Sequence, residues 1–166
     1  MAYTSKYPPF AVTVDAVVLT IRDGAVHALV VTRGGEPFKG RLALPGGFVD
    51  ADEDLDAAVE RELAEETGIS VRGMRIEQLA SYGRPDRDPR GRTVSVAYLA
   101  VSTDPREPAG GDDATDAEWR PVSWLLARRD RLAFDHHDIL RDGLERFKAD
   151  RFSSMMRGWP GRELPE

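Results

Sequence analysis

The stretch from Gly47 to Ile69 constrains this chain more than any other. Leu55, Val59 and Leu63 recur every fourth residue with Ala58 beside them, giving a helix over Asp54–Thr67 a single apolar face to bury. Asp52, Glu53 and Asp54 crowd its start, where the helix dipole favours negative charge. Gly68 follows as a C′ residue, a position where left-handed backbone suits glycine. At ~100° per residue, Glu62, Glu65 and Glu66 fall within an arc of roughly 100° on that helix. Carboxylates so close repel one another unless a cation neutralises them or solvent dilutes them. All-oxygen ligation suits a hard ion, Mg²⁺ or Mn²⁺, rather than Zn²⁺. Arg61 stands one turn before Glu65 and can orient a carboxylate, while Glu53 at the helix entry can hold Arg61.

The rest of the chain reads as strands around this helix. Phe10–Ile21 and Ala25–Thr32 are apolar runs joined by the turn signal Asp23-Gly24, which predicts a hairpin. Leu42–Leu44 is a short strand stopped by Pro45-Gly46-Gly47, with extended structure resuming at Phe48-Val49. Strands are expected at Met74–Tyr82, Thr93–Ser102 and Ala117–Val122, and a short helix at Ser123–Arg128. A second long helix runs over His136–Ala149, with Asp135 as its N-cap and Ile139, Leu140, Leu144 and Phe147 on its apolar side. The tail from Ser153 onward, with its prolines and glycines, is expected to be loosely ordered. This order predicts a mixed sheet with helices on its faces. A net charge of −6 disfavours a nucleic-acid partner. No apolar run approaches membrane-spanning length, and no cysteine is present, so a cytoplasmic chain is expected.

A solvated acidic face would explain a lone Glu-x-x-Glu-Glu. The wider spacing decides against that reading. Gly47 is followed after five residues by Glu53, after seven more by Arg61-Glu62-Leu63, then by Glu65-Glu66 and Gly68-Ile69, each pair after one intervening residue. Every specified position of the Nudix box is matched, against a chance probability on the order of 10⁻⁷ to 10⁻⁸. The chain therefore resembles the Nudix hydrolases over about residues 10–150, with 1–9 and 151–166 as terminal extensions. The resemblance implies an α/β fold, an α/β/α sandwich around a mixed sheet. It implies Glu62, Glu65 and Glu66 as metal ligands, joined by the Gly47 carbonyl, with Glu53 and Arg61 in support. It implies attack by water on a phosphorus of a diphosphate. The general base is left open between a box glutamate and a later loop acid, Asp112, Asp113, Asp116 or Glu118.

The segments Ser81–Arg92, Val94–Tyr98 and Leu132–His136, with Ile139-Leu140, are similar to bacterial ADP-ribose pyrophosphatases and to the Nudix domains of NAD-pathway regulators that sense ADP-ribose. That similarity implies hydrolysis of ADP-ribose to AMP and ribose 5-phosphate. An (oxidised) nucleoside triphosphate pyrophosphohydrolase and a non-catalytic ADP-ribose sensor are the alternatives. The loop holding Arg84, Arg87, Arg90 and Arg92 suits a diphosphate or terminal ribose, although Asp86 and Asp88 offer each arginine a surface ion pair. The expected substrate contacts are Arg33, Phe48, Arg84, Arg90 and Arg92, with Phe48 or Tyr82 available to stack on adenine. Arg41 stands where this subgroup usually carries Trp. The regulators carry a winged-helix domain after the Nudix domain and often lose box glutamates. Here only a short tail follows the last helix and every box glutamate is kept, both of which favour an enzyme. His136-His137 is read as exposed or capping rather than metal-binding, since no cysteine or third nearby histidine completes a site. A small-molecule nucleotide is the expected partner, with no membrane or nucleic acid, and the resemblance implies a homodimer.

Overall fold

Asp23 and Gly24 take positive φ angles of 51° and 75°, and this two-residue turn folds β1 (Ala11–Arg22) back onto β2 (Ala25–Arg33). The structure, a computed structural model, describes residues 6–110 and 114–149. β1 is buried along nearly its whole length, which accounts for its near-continuous apolar composition. Val17, Leu19 and Ile21 join the core on one face of the sheet, and Val14, Ala16 and Val18 join the core on the other.

The hairpin does not stay closed. β1 pairs with β2 only from Leu19 to Arg22. On the same edge, Thr13–Asp15 pair with β4 (Gly46–Phe48), while β6 (Thr93–Val101) runs parallel along the opposite edge. β2 in turn leaves β1, and its Val31 and Thr32 pair with β3 (Leu42–Ala43). β7 (Ala114–Pro121) covers the far edge of β2, and β5 (Arg75–Tyr82) lies antiparallel to β6. The product is a mixed sheet of seven strands, split at one end, with β3 and β4 lining the split.

Helix α1 (Leu55–Thr67) packs Ala58, Val59 and Leu63 against one face of the sheet. The opposite face carries α2 (Val122–Leu126), a 3₁₀ turn (Arg129–Arg131) and α3 (His136–Ala149), which bury Leu125, Ile139, Leu140 and Phe147. This is the expected α/β/α sandwich around a mixed sheet. No helix among the described residues is long and apolar enough to cross a membrane.

Three local readings need correction. Pro45-Gly46-Gly47, read as a stop, leads straight into β4. A side chain at Gly46 would run into the Val14 carbonyl and Asp15, so glycine lets this strand lie against β1. β7 begins at Ala114 rather than Ala117, because pairing continues past a bulge to Arg33. Asp135 precedes α3 as expected, yet both its carboxylate oxygens accept from Arg87, and its backbone carbonyl serves the first turn. The tail from Ser153 lies outside the described residues.

Helix α3 reaches the sheet at a glycine. A Cβ on Gly143 would stand 2.8 Å from Val17 Cγ1 and 3.2 Å from Cγ2, and Val17 is fully buried with a stiff, branched side chain. Alanine is the better helix former by ~1 kcal/mol. Gly143→Ala is nevertheless expected to lower stability, by about 1–3 kcal/mol, because overpacking outweighs propensity. Chemical denaturation checks this, and adding Val17→Ala should return part of the loss.

Candidate active site

A cavity of about 410 Å³ opens where β1 and β2 part. Its wall on the α1 side carries Arg61, Glu62 and Glu66. Thr13, Asp15, Gly46 and Gly47 form the strand side, and Arg33, Arg87, Arg90, Phe134 and His136 stand opposite α1.

Arg61 organises the acidic wall. Its Nε and Nη2 donate to the two Glu53 carboxylate oxygens at 2.8 and 2.9 Å. Nη1 donates to Glu62 at 2.8 Å and to Glu65 at 3.0 Å, and Nη2 also reaches the Phe48 carbonyl at 3.1 Å. The hydrogen bond to Arg61 holds the Glu53 carboxyl below the usual range, and the same partners raise the guanidinium further above neutrality. Glu62 is half-buried, and burial pushes its carboxyl up against the opposing pull of Arg61. A side chain at Gly47 would collide with the Glu62 carboxylate, so glycine lets the strand and helix meet there. Glu66 accepts the Gly46 N–H at 2.9 Å, yet burial dominates and its carboxyl is pushed up to about 8.

These residues suit a hard divalent ion by their donor chemistry. Glu62 and Glu66 are desolvated carboxylates whose charged form burial disfavours, and an adjacent cation would reverse that penalty. Among the described residues, no three acidic or histidine side chains converge on one point as they stand. Glu62 and Glu65 are turned to Arg61, and Glu66 to Gly46.

Three of the five expected substrate contacts line the cavity: Arg33, Phe48 and Arg90. The Arg90 guanidinium lies 4.8 Å from the Phe48 ring centre and 5.5 Å from that of Phe134, and the buried Asp88 pins it at 2.7 Å. Arg33 sits 4.9 Å over the other aromatic neighbour, Phe134, with its Nε on the Pro37 carbonyl. Arg84 and Arg92 lie outside the lining. Arg84 is exposed and paired with Asp86, and Arg92 stacks on Phe10 at 4.6 Å. Tyr82 lies outside it too and donates to Asp142. Arg41, where the subgroup usually has Trp, lies over Phe38 at 5.3 Å.

Of the candidate bases, Asp112 and Asp113 lie outside the described residues. Asp116 is exposed and Glu118 pairs with Arg120, and neither lines the cavity, whereas Glu36 and Asp50 do. Sequence reasoning passed over a buried group on the α3 side. Asp15 accepts from Ser95, faces His136 Nε2 at 3.3 Å and lies 3.6 Å from Arg87. His136 is buried rather than exposed, burial pushes its imidazole down, and its Nδ1 accepts the Leu44 N–H, as only a neutral ring can. The available signal was Asp15 itself, a single charge in an apolar strand, which requires partners.

Comparison with known proteins agrees with this geometry. The family described as the NUDIX domain matches residues 9–143. The chain is 38% identical over 144 residues to the ADPR responsive transcriptional repressor NtrR of Acinetobacter baylyi, covering 86% of this chain but only 56% of the repressor. It is 39% identical over 132 residues to an ADP-ribose pyrophosphatase of Methanocaldococcus jannaschii, covering 80% of this chain and 72% of that protein. Its fold is similar to the NUDIX domain of Shewanella oneidensis NrtR solved with ADP ribose, with a TM-score of 0.79 and 36% identity, covering 87% and 94% of the two chains.

The Glu66 carboxyl generates a pH prediction. The folded chain keeps its proton up to about 8, whereas the unfolded chain releases it near 4.5. Folding therefore takes up a proton between those values, and stability falls as pH rises through that window. In chelator, the melting temperature of the wild type should fall from about pH 5 to about pH 8 relative to Glu66→Gln. Thermal denaturation of both proteins across that range checks it. Parallel curves would show that Glu66 is not desolvated.

Proposed function

The chain belongs to the Nudix family, and on that footing we propose that it hydrolyses ADP-ribose to AMP and ribose 5-phosphate. One observation carries this reading: a single cavity presents partly buried carboxylates on one wall and arginines flanked by aromatic rings on the other. The first wall suits a metal-assisted attack on a diphosphate. The second suits the negative charge of that diphosphate and a stacked base.

Glu62, Glu65 and Glu66, with the Gly47 carbonyl, would hold Mg²⁺ or Mn²⁺. Such an ion, when bound, supplies a lowered water pKa and charge neutralisation on phosphate oxygens. The chain's own residues do the rest. Arg61 orients Glu62 and Glu65, and Glu53 keeps Arg61 in place. Gly46 fixes one oxygen of Glu66. Arg33 and Arg90 offset the negative charge that an anionic substrate brings to a chain of net charge −6. That acidity also supports a small-molecule partner over a nucleic acid.

A binding-only reading has its own support, since one relative is an ADPR responsive repressor. Products separate the readings. Purified protein with Mg²⁺ should release AMP and ribose 5-phosphate from ADP-ribose in preference to pyrophosphate from GTP or 8-oxo-dGTP. Tight ADP-ribose binding without cleavage would favour the sensor. Turnover of triphosphates alone would discard the substrate and keep the chemistry.

Two sets of variants follow. Glu65→Gln and Glu66→Gln should each lower kcat by about two orders of magnitude or more with the fold intact. Normal turnover in both would remove the metal assignment. Arg90→Ala should raise KM for ADP-ribose more than Arg84→Ala or Arg92→Ala does, because Arg90 alone of the three lines the cavity. Equal effects of all three in steady-state kinetics would contradict that role.

A further inference from the structure

Leu44 and Pro45 join β3 to β4 and lead into the two glycines beside the glutamates. β3 ends at Ala43 and β4 begins at Gly46. Leu44 is buried, and its N–H donates to His136 Nδ1 at 2.9 Å. Pro45 has no N–H, and its carbonyl accepts from Ala16 at 2.8 Å. Gly46 gives its N–H to Glu66.

The acceptor role of Nδ1 fixes the His136 tautomer. A neutral imidazole that accepts at Nδ1 carries its proton on Nε2, and that proton faces Asp15 Oδ1 at 3.3 Å. Asp15 closes the circuit, since it stands opposite Gly46 in the β1–β4 register and packs against it. His136 thus holds Leu44 at one end of a three-residue segment, while Asp15, in contact with His136, braces Gly46 at the other. Arg87 locks the frame from the α3 side. It binds Asp135, the residue before His136, through two bonds of 2.7 and 3.0 Å, and it lies beside Asp15. The charged groups around the imidazole are Asp15, Asp135, Arg87 and Arg33.

We propose that His136 is a positioning residue for the diphosphate chemistry: through Leu44, braced by Asp15, it sets the Gly46 amide that orients Glu66. The inference rests on the Nudix reading for its kinetic consequence and on geometry alone for its structural one. It is distinct from the glutamate cluster, because the polar contacts of His136 run to Leu44 and Asp15 rather than to a glutamate.

The test compares two replacements. In His136→Asn the side-chain oxygen lies as many bonds from Cβ as Nδ1 does and can still accept from Leu44, whereas His136→Leu removes the acceptor. Two readouts are taken: the amide proton shifts of Leu44 and Gly46 in ¹H–¹⁵N spectra of the metal-free protein, and steady-state kinetics on ADP-ribose with Mg²⁺. Leucine should move both amides upfield and lower kcat about 10- to 100-fold, with KM held within about threefold. Asparagine should restore both readouts. An unmoved Gly46 amide in the leucine variant, or an asparagine variant as impaired as the leucine one, would overturn the proposal. If the leucine variant does not fold, His136→Gln, whose oxygen lies one bond further out, supplies the same contrast. If the wild type cleaves no nucleotide offered, the functional reading fails, while the amide shifts still decide the positioning role.

Discussion

A strand that leaves its partner exposes backbone donors and acceptors that must be paired elsewhere. The parting of β1 from β2 sets that requirement at the centre of this sheet. The chain meets it with two very short strands, one for each bare edge: β3 on β2 and β4 on β1. Nearly everything about the site follows from this. The split leaves room for the cavity, and β4 brings Gly46 and Gly47 up to α1. Glycine is required at Gly46 because the Val14 carbonyl and the Asp15 backbone occupy the space of any side chain, whereas at Gly47 a side chain would meet the end of the Glu62 side chain. Glu66 thus meets backbone, so its position is set by the sheet, while Glu62 and Glu65 are set by Arg61.

Electrostatics on the two sides of the cavity are handled by the same device. Each side has one arginine that serves several carboxylates. Arg61 gathers Glu53, Glu62 and Glu65 on the α1 side, and Arg87 joins Asp15 to Asp135 on the α3 side. Their settings differ in a way that bears on function. Arg61 is partly exposed and its carboxylates can change partner. Arg87 is almost wholly buried, and breaking its pairs would leave charge stranded in a low dielectric. One arginine is therefore an exchangeable counterion and the other a structural one.

The contrast explains what could be read from sequence. The box helix was legible because its chemistry is dense and local: Glu53, Arg61, Glu62, Glu65 and Glu66 lie within one turn-by-turn pattern, and periodicity alone puts the acids on one face. The hairpin was legible from Asp23-Gly24, and the apolar faces of α1 and α3 from their spacing. The α3-side group was not, because its members are far apart in the chain. Ser95 is 80 residues from Asp15, and His136 is 92 residues from Leu44. Nor could sequence sort the arginines of the Gly83–Arg92 loop. Arg84, Arg87, Arg90 and Arg92 lie in one short segment, yet Arg84 is exposed, Arg87 and Arg90 line the cavity with Arg87 buried, and Arg92 is stacked on Phe10. That sorting depends on the path of the loop over the sheet, which no local pattern encodes.

The same argument bears on how a site of this kind can vary. Residues that touch each other through side chains can be replaced in compensating pairs. The contact that places Glu66 runs through the backbone N–H of Gly46, where only the peptide itself is available, whereas Glu62 is placed by the Arg61 side chain. Change is then confined to groups that hold that peptide from a distance, such as His136 and Asp15, or to the opposite wall. There Arg33 lies over Phe134 and Arg90 over Phe48, away from the Gly46–Glu66 contact. The Gly46–Glu66 contact is thus the part of the cavity that exchange of side chains cannot reproduce, whereas the arginine–aromatic wall is built from side chains.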